Sequence, residues 1–148
     1  MLWEEDGFGQ TGSAVWAMQP IGKLRTYEID GPAAWIDLVR RYPLDVSWAR
    51  RHDWFKVTGR AGTWLIPDWE AVSRDYDAVH LTVLGYLASA TRSLPVDEDA
   101  ATVLAGFDPD ETIWLTDTLA VADPTPEHWT RIEGFGTSDV EWARTAPP

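Results

Sequence analysis

The sequence predicts an α+β fold, with a compact mixed or antiparallel β-sheet core and two or three short helices. Three observations carry this. The chain has 148 residues, 45% of them hydrophobic, which suits one globular domain. A segment bracketed by Pro32 and Pro43 holds apolar residues at helical spacing. A mostly apolar, β-rich run from Ala78 to Leu84 reads as the central strand of a sheet.

Taken in order, Ser13–Gln19 and Leu24–Ile29 read as strands, the second with one more apolar face through Arg25, Tyr27 and Ile29. Asp30-Gly31-Pro32 then supplies a helix start, with Asp30 as cap and proline in the first turn. Trp35, Leu38, Val39 and Tyr42 share one face, and Pro43 ends the helix. Residues 45–57 fit neither period, because Val46, Trp48, Trp54, Phe55 and Val57 do not align on one face. Thr63–Ile66 is a short strand. Pro67-Asp68 opens a second helix with Trp69, Val72 and Tyr76 on one side. Gly85 breaks the Ala78–Leu84 strand, and Tyr86–Ala90 forms a turn of helix. Asp97-Glu98-Asp99 and Asp108-Pro109-Asp110 are turns, the latter leading into a strand over Thr112–Thr116. We therefore expect one domain over 1–122, with 123–148 as an irregular, proline-bearing extension packed on it by Trp129 and Trp142.

Composition narrows the function. There is no cysteine, which removes disulfide scaffolds and thiolate metal sites. The opening Met-Leu-Trp-Glu-Glu-Asp lacks the basic and apolar regions of a secretory leader, and no apolar run approaches membrane-spanning length, so a cytoplasmic protein is expected. A net charge of −12 disfavours nonspecific nucleic-acid binding. The charge is uneven: Arg40 to Arg60 holds six Lys or Arg against two Asp, and Ser93 onward holds twelve Asp or Glu against two Arg. The basic stretch would meet a phosphate, an acidic partner, or the acidic part of the same chain. Ten tryptophans exceed what a core of this size needs, so some are expected at a groove or interface.

No pair among His52, His80 and His128 has metal-ligand spacing. His80, inside the best strand, is either a hydrogen-bonded buried histidine or a pocket residue able to move a proton near neutrality. Asp108, Asp110 and Glu111 are favoured as turn residues over a cation site. Gly7 to Gly12 matches G-x-G-x-x-G but has neither the strand before it nor the helix after it. Arg50-Arg51-His52 flanked by Trp48 and Trp54 is either an exposed basic loop with aromatic anchors, the favoured reading, or the best anion-site candidate, since guanidinium groups bind phosphate and indoles stack on planar rings.

Several phrases recur in a recognisable order: Tyr27-Glu28-Ile29-Asp30, Ala34-Trp35 through Tyr42-Pro43, Pro67-Asp68-Trp69 with Val72, Asp75-Tyr76-Asp77, Val79-His80-Leu81, and Gly106-Phe107-Asp108 before Trp114. Over residues 24–117 the chain thus resembles a loosely defined group of bacterial and phage proteins, mainly actinobacterial, with a DWxxVxxxYD segment and a later G(W/F)D…W segment. Longer members of that group are similar to the ADP-ribosyltransferase fold. The resemblance implies a split β-sheet that binds NAD in a cleft. His80 would then be the catalytic base or a ligand contact, standing where that fold usually carries a glutamate. Trp48 or Trp54 would stack on adenine or nicotinamide, Tyr86 would add a further stacking ring, and Arg50 or Arg51 would hold the pyrophosphate. The alternative expectation is a non-catalytic inhibitor, immunity protein or phage-encoded modulator whose acidic C-terminal region and exposed tryptophans engage a basic protein partner.

Overall fold

The computed structural model describes residues 11–133 and 140–146. The first strands are β1 (Gly12–Val15), β2 (Met18–Pro20) and β3 (Thr26–Ile29). Helix α1 (Pro32–Arg41), strand β4 (Pro43–Asp45), helix α2 (Ser47–Thr58) and strand β5 (Thr63–Pro67) follow. Next come α3 (Trp69–Asp75), β6 (Ala78–Leu81), α4 (Val83–Ser89), β7 (Leu94–Pro95), β8 (Ala100–Thr102) and β9 (Glu111–Trp114). The last strands are β10 (Leu119–Val121), β11 (Glu127–Glu133) and β12 (Val140–Thr145). The fold is α+β as predicted, with four helices among the described residues and both mixed and antiparallel sheets. No helix among these residues is long and apolar enough to cross a membrane. Leu2-Trp3, all but the end of the Gly7–Gly12 run, Gly134 and Gly136 lie outside the described residues.

The chain folds as two units: Lys23–Asp117, and the flanking segments whose described residues are 11–22, 118–133 and 140–146. In the flanking unit β11 pairs antiparallel with both β1 and β12, while β10 pairs antiparallel with β2. The described residues after 122 are therefore not wholly irregular: Glu127–Glu133 and Val140–Thr145 are strands. Strand β1, which pairs with β11 on the side away from β12, lies more than a hundred positions earlier, and local sequence shows only the proline-bearing turns around these strands. The single strand expected over Ser13–Gln19 is two, because its halves pair with different strands, β11 and β10.

In the Lys23–Asp117 unit one sheet has the order β3-β6-β9, with β6 central, parallel to β3 and antiparallel to β9. A second has the order β4-β5-β8-β7, whose inner strands β5 and β8 run parallel. Helix α1 starts with Pro32 in its first turn and presents Trp35, Leu38 and Val39 to a core shared with Ile29, Val72, Val79 and Leu81. Its cap position is Gly31, one residue after the expected Asp30, and it has no side-chain cap. Helix α3 is capped by the Asp68 carboxylate, which accepts from the Glu70 and Ala71 amides.

Two expectations are corrected by side-chain chemistry. The ambiguous segment is helix α2, masked in the sequence because Phe55 and Val57 face solvent and Trp54 is its buried residue. Strand β6 stops at Leu81, three residues early, because the Thr82 hydroxyl accepts from the Gly85 amide and so caps α4. Gly85 is thus a helical residue, not a strand breaker.

Candidate functional site

The residues of the Lys23–Asp117 unit build a cavity of about 380 Å³. Helix α1 contributes Trp35, α2 contributes Arg50 and Trp54, and α3 contributes Trp69. Ile66 and Pro67 end β5, and Val103 directly follows β8, so the cavity opens at the carboxyl ends of the two parallel strands. Parallel strands leave their crevices there, between the chains that depart from the sheet. Phe107 closes the wall from the loop before β9, where Gly106 adopts φ +80°, a left-handed conformation that suits glycine.

The walls are interlocked aromatic rings. Trp35 meets Phe107 edge-on at 5.7 Å and Trp69 at 6.3 Å, and Trp69 lies 6.0 Å from Phe107. Trp54 meets the fully buried Trp64 edge-on at 5.2 Å. The Trp35 indole nitrogen is committed to the Thr102 hydroxyl at 3.1 Å, which fixes its ring. Arg50 is different: it stands one turn before Trp54 on the same side of α2, and no described residue forms a hydrogen bond or ion pair with its guanidinium. A cavity with aromatic walls, in which Trp69 is the partly exposed tryptophan, and a guanidinium with no described partner is suited to a planar ring that carries an anionic group.

Of the sequence candidates, Arg50 and Trp54 thus come together, joined by Trp35 and Trp69, which the sequence places on apolar helix faces, and by Phe107. Trp48 and Arg51 line a separate, more open groove along another face of α2. Tyr86 sits on α4 and packs against the core around Ile29 and Leu81. His80 lies in register between Glu28 and Thr112, on the face of the β3-β6-β9 sheet opposite Val79 and Ile113. Ile113 lines the cavity, so His80 faces away from it. The His80 Nδ1 is 3.0 Å from the Thr112 hydroxyl, and its Nε2 is 3.7 Å from the Asp110 carboxylate. The Glu111 carboxylate accepts from the Asp108 amide at 2.8 Å, so the acidic cluster is wired as a turn. Trp114, on the His80 face, is 42% exposed and is not a core residue.

The recurring sequence phrases have structural work. Asp68 caps α3, Trp69 walls the cavity, Val72 is buried, and Tyr76 packs edge-on against Tyr27 at 5.2 Å. Asp77 closes a clasp on Arg25, accepting from its Nη2 at 2.8 Å, its Nε at 3.1 Å and its amide at 2.9 Å. The Arg25 side chain first, and its amide second, hold the Asp77 carboxyl down to about 2. An unfolded aspartate titrates near ~3.9, so the unfolded chain takes up the proton first as pH falls. The clasp's contribution is full above about pH 4 and is lost between about 4 and 2. We expect urea midpoints of this unit to fall across that window, and the Asp77→Asn variant to be less stable at neutral pH and to show a smaller acid-dependent drop.

No family model matches this chain, and neither a curated protein nor a solved structure is significantly similar to it.

Proposed function

We propose that the Lys23–Asp117 unit binds a small planar anion of the nucleotide class in the cavity between α1, α2 and α3. The observation that carries this reading is Arg50, a cation without a described partner, at a cavity walled by Trp35, Trp54, Trp69 and Phe107. The volume, about 380 Å³, is at the small end of the roughly 300–1,000 Å³ of ligand pockets. It suits one base with its phosphate, so NAD would enter by one nucleotide half. The resemblance to a group whose longer members are similar to the ADP-ribosyltransferase fold supports NAD as a member of that ligand class. The position of His80, on the far side of the sheet, supports binding rather than His80-mediated transfer on the cavity's ligand.

Isothermal titration calorimetry with AMP, NAD and adenosine tests this. Hydrogen bonds to a charged group contribute about 1.5–3 kcal/mol, so AMP is expected to bind about 10- to 100-fold more tightly than adenosine. Arg50→Ala is expected to erase that difference, and His80→Ala to leave it intact. At a hundredfold excess over its dissociation constant, AMP would stabilise the unit by about 2.7 kcal/mol. Equal affinity for AMP and adenosine, or no binding of either, rejects the proposal.

A further inference from the structure

Helix α2 has a second face. Trp48, Arg51, His52 and Phe55 stand at i, i+3, i+4 and i+7, which forms one stripe along two turns, opposite Arg50 and Trp54. Trp48 is 88% exposed and Phe55 51%. With Ala61 and Gly62 they border an open groove. No described residue pairs with Arg51 or Lys56, although the chain carries 24 carboxylates against 12 Lys and Arg.

We infer that this face docks an acidic protein segment in extended form. Charge complementarity selects the occupant. The face offers the unpaired Arg51 guanidinium between two exposed aromatic rings, with Lys56 just beyond Phe55, and tryptophan and arginine are among the residue types most enriched at binding hot spots. Nucleic acid binds through many phosphate contacts, which a net charge of −12 disfavours, whereas a short segment needs only one carboxylate at Arg51. The groove is too open to enclose a small molecule but can follow a chain. Trp48 and Phe55 are seven residues apart, about 10 Å along the helix axis. In an extended segment residues i, i+2 and i+4 share one face and span about 13 Å, so apolar side chains at i and i+4 can contact the two rings while a carboxylate at i+2 reaches Arg51. This surface is independent of the cavity, and each can fail without the other.

Fluorescence anisotropy of a labelled peptide of glutamate with interspersed leucine, titrated with the full chain, tests the inference. The expected result is binding that weakens with salt, falls roughly 30-fold in Trp48→Ala and falls about 10-fold in Arg51→Ala. Binding is expected to be unchanged in His80→Ala, and the thermal midpoint of Trp48→Ala to equal that of the wild type, since the ring packs on little. Absence of peptide binding, or equal binding by Trp48→Ala, overturns the inference. So does a labelled single-stranded RNA that binds in a Trp48-dependent manner. Trp48-dependent self-association in sedimentation would assign the face to a second copy of the chain and would also overturn it.

Discussion

Trp35→Ala is expected to destabilise the Lys23–Asp117 unit by about 3–5 kcal/mol, the range for removing a large aromatic side chain from a packed core. Trp35 is 2% exposed and touches two further aromatic rings. Its loss opens a void next to an existing cavity, and the ring contacts of Trp69 and Phe107 lose their shared partner. The Thr102 hydroxyl, fully buried, also loses its donor. A buried polar group left unpaired costs about 1–3 kcal/mol. Against a typical domain stability of about 5–15 kcal/mol, the combined loss leaves the unit marginal at best. Trp35→Phe shifts the balance between the two effects: it keeps an aromatic ring, leaves a smaller void and loses the hydrogen bond. Thr102→Val added to Trp35→Phe is then expected to recover part of the loss, as read from urea midpoints at constant slope.

Gly85→Ala is the second large effect. On propensity alone, alanine in a helix gains up to about 1 kcal/mol over glycine. Here a methyl group would collide with the Ile29 carbonyl oxygen and come within 3.0 Å of its carbon and 3.1 Å of Leu81 Cδ1. The first two atoms belong to the backbone of β3 and cannot rotate aside. The same carbonyl accepts the Thr82 amide at 3.1 Å, so moving it also strains the start of α4. Overpacking costs about 1–3 kcal/mol and occasionally more. We expect the clash to exceed the propensity gain, with a net loss of about 2 kcal/mol in chemical denaturation. A neutral or stabilised Gly85→Ala would show that α4 does not pack this closely on β3.

These two positions show what the sequence makes legible. Trp35 is placed in the core by its spacing to Leu38 and Val39 between two prolines, a local pattern that needs no knowledge of partners. Asp68 announces α3 in the same way. Gly85, by contrast, is a break in a β-rich run when read locally; its need for a bare Cα arises from β3, more than fifty residues earlier. Helix α2 is obscured for another physical reason. The periodicity test assumes that apolar residues face inward, and α2 turns Trp48, Phe55 and Val57 outward.

The candidate site divides along the same line. Arg50 and Trp54 are one helical turn apart, so their shared face follows from sequence once α2 is a helix. Trp35, Trp69 and Phe107 arrive from three other elements through the packing of parallel β5 and β8, which no short-range pattern encodes. His80 and Tyr86 have local environments attractive for chemistry, a strand end and a following helix. The sheet alternation sends His80 to the other face, and Tyr86 is spent on core packing.

The cavity's role as a nucleotide site is tested most directly by ¹⁹F NMR of the chain labelled with 5-fluorotryptophan, which separates its ten tryptophans by resonance once each is assigned by substitution. On titration with AMP, the resonances of Trp35, Trp54 and Trp69 are expected to shift together and saturate with one dissociation constant, while Trp48 and Trp129 stay in place. Shifts confined to Trp48, or spread without saturation over exposed tryptophans, would contradict a nucleotide site in this cavity.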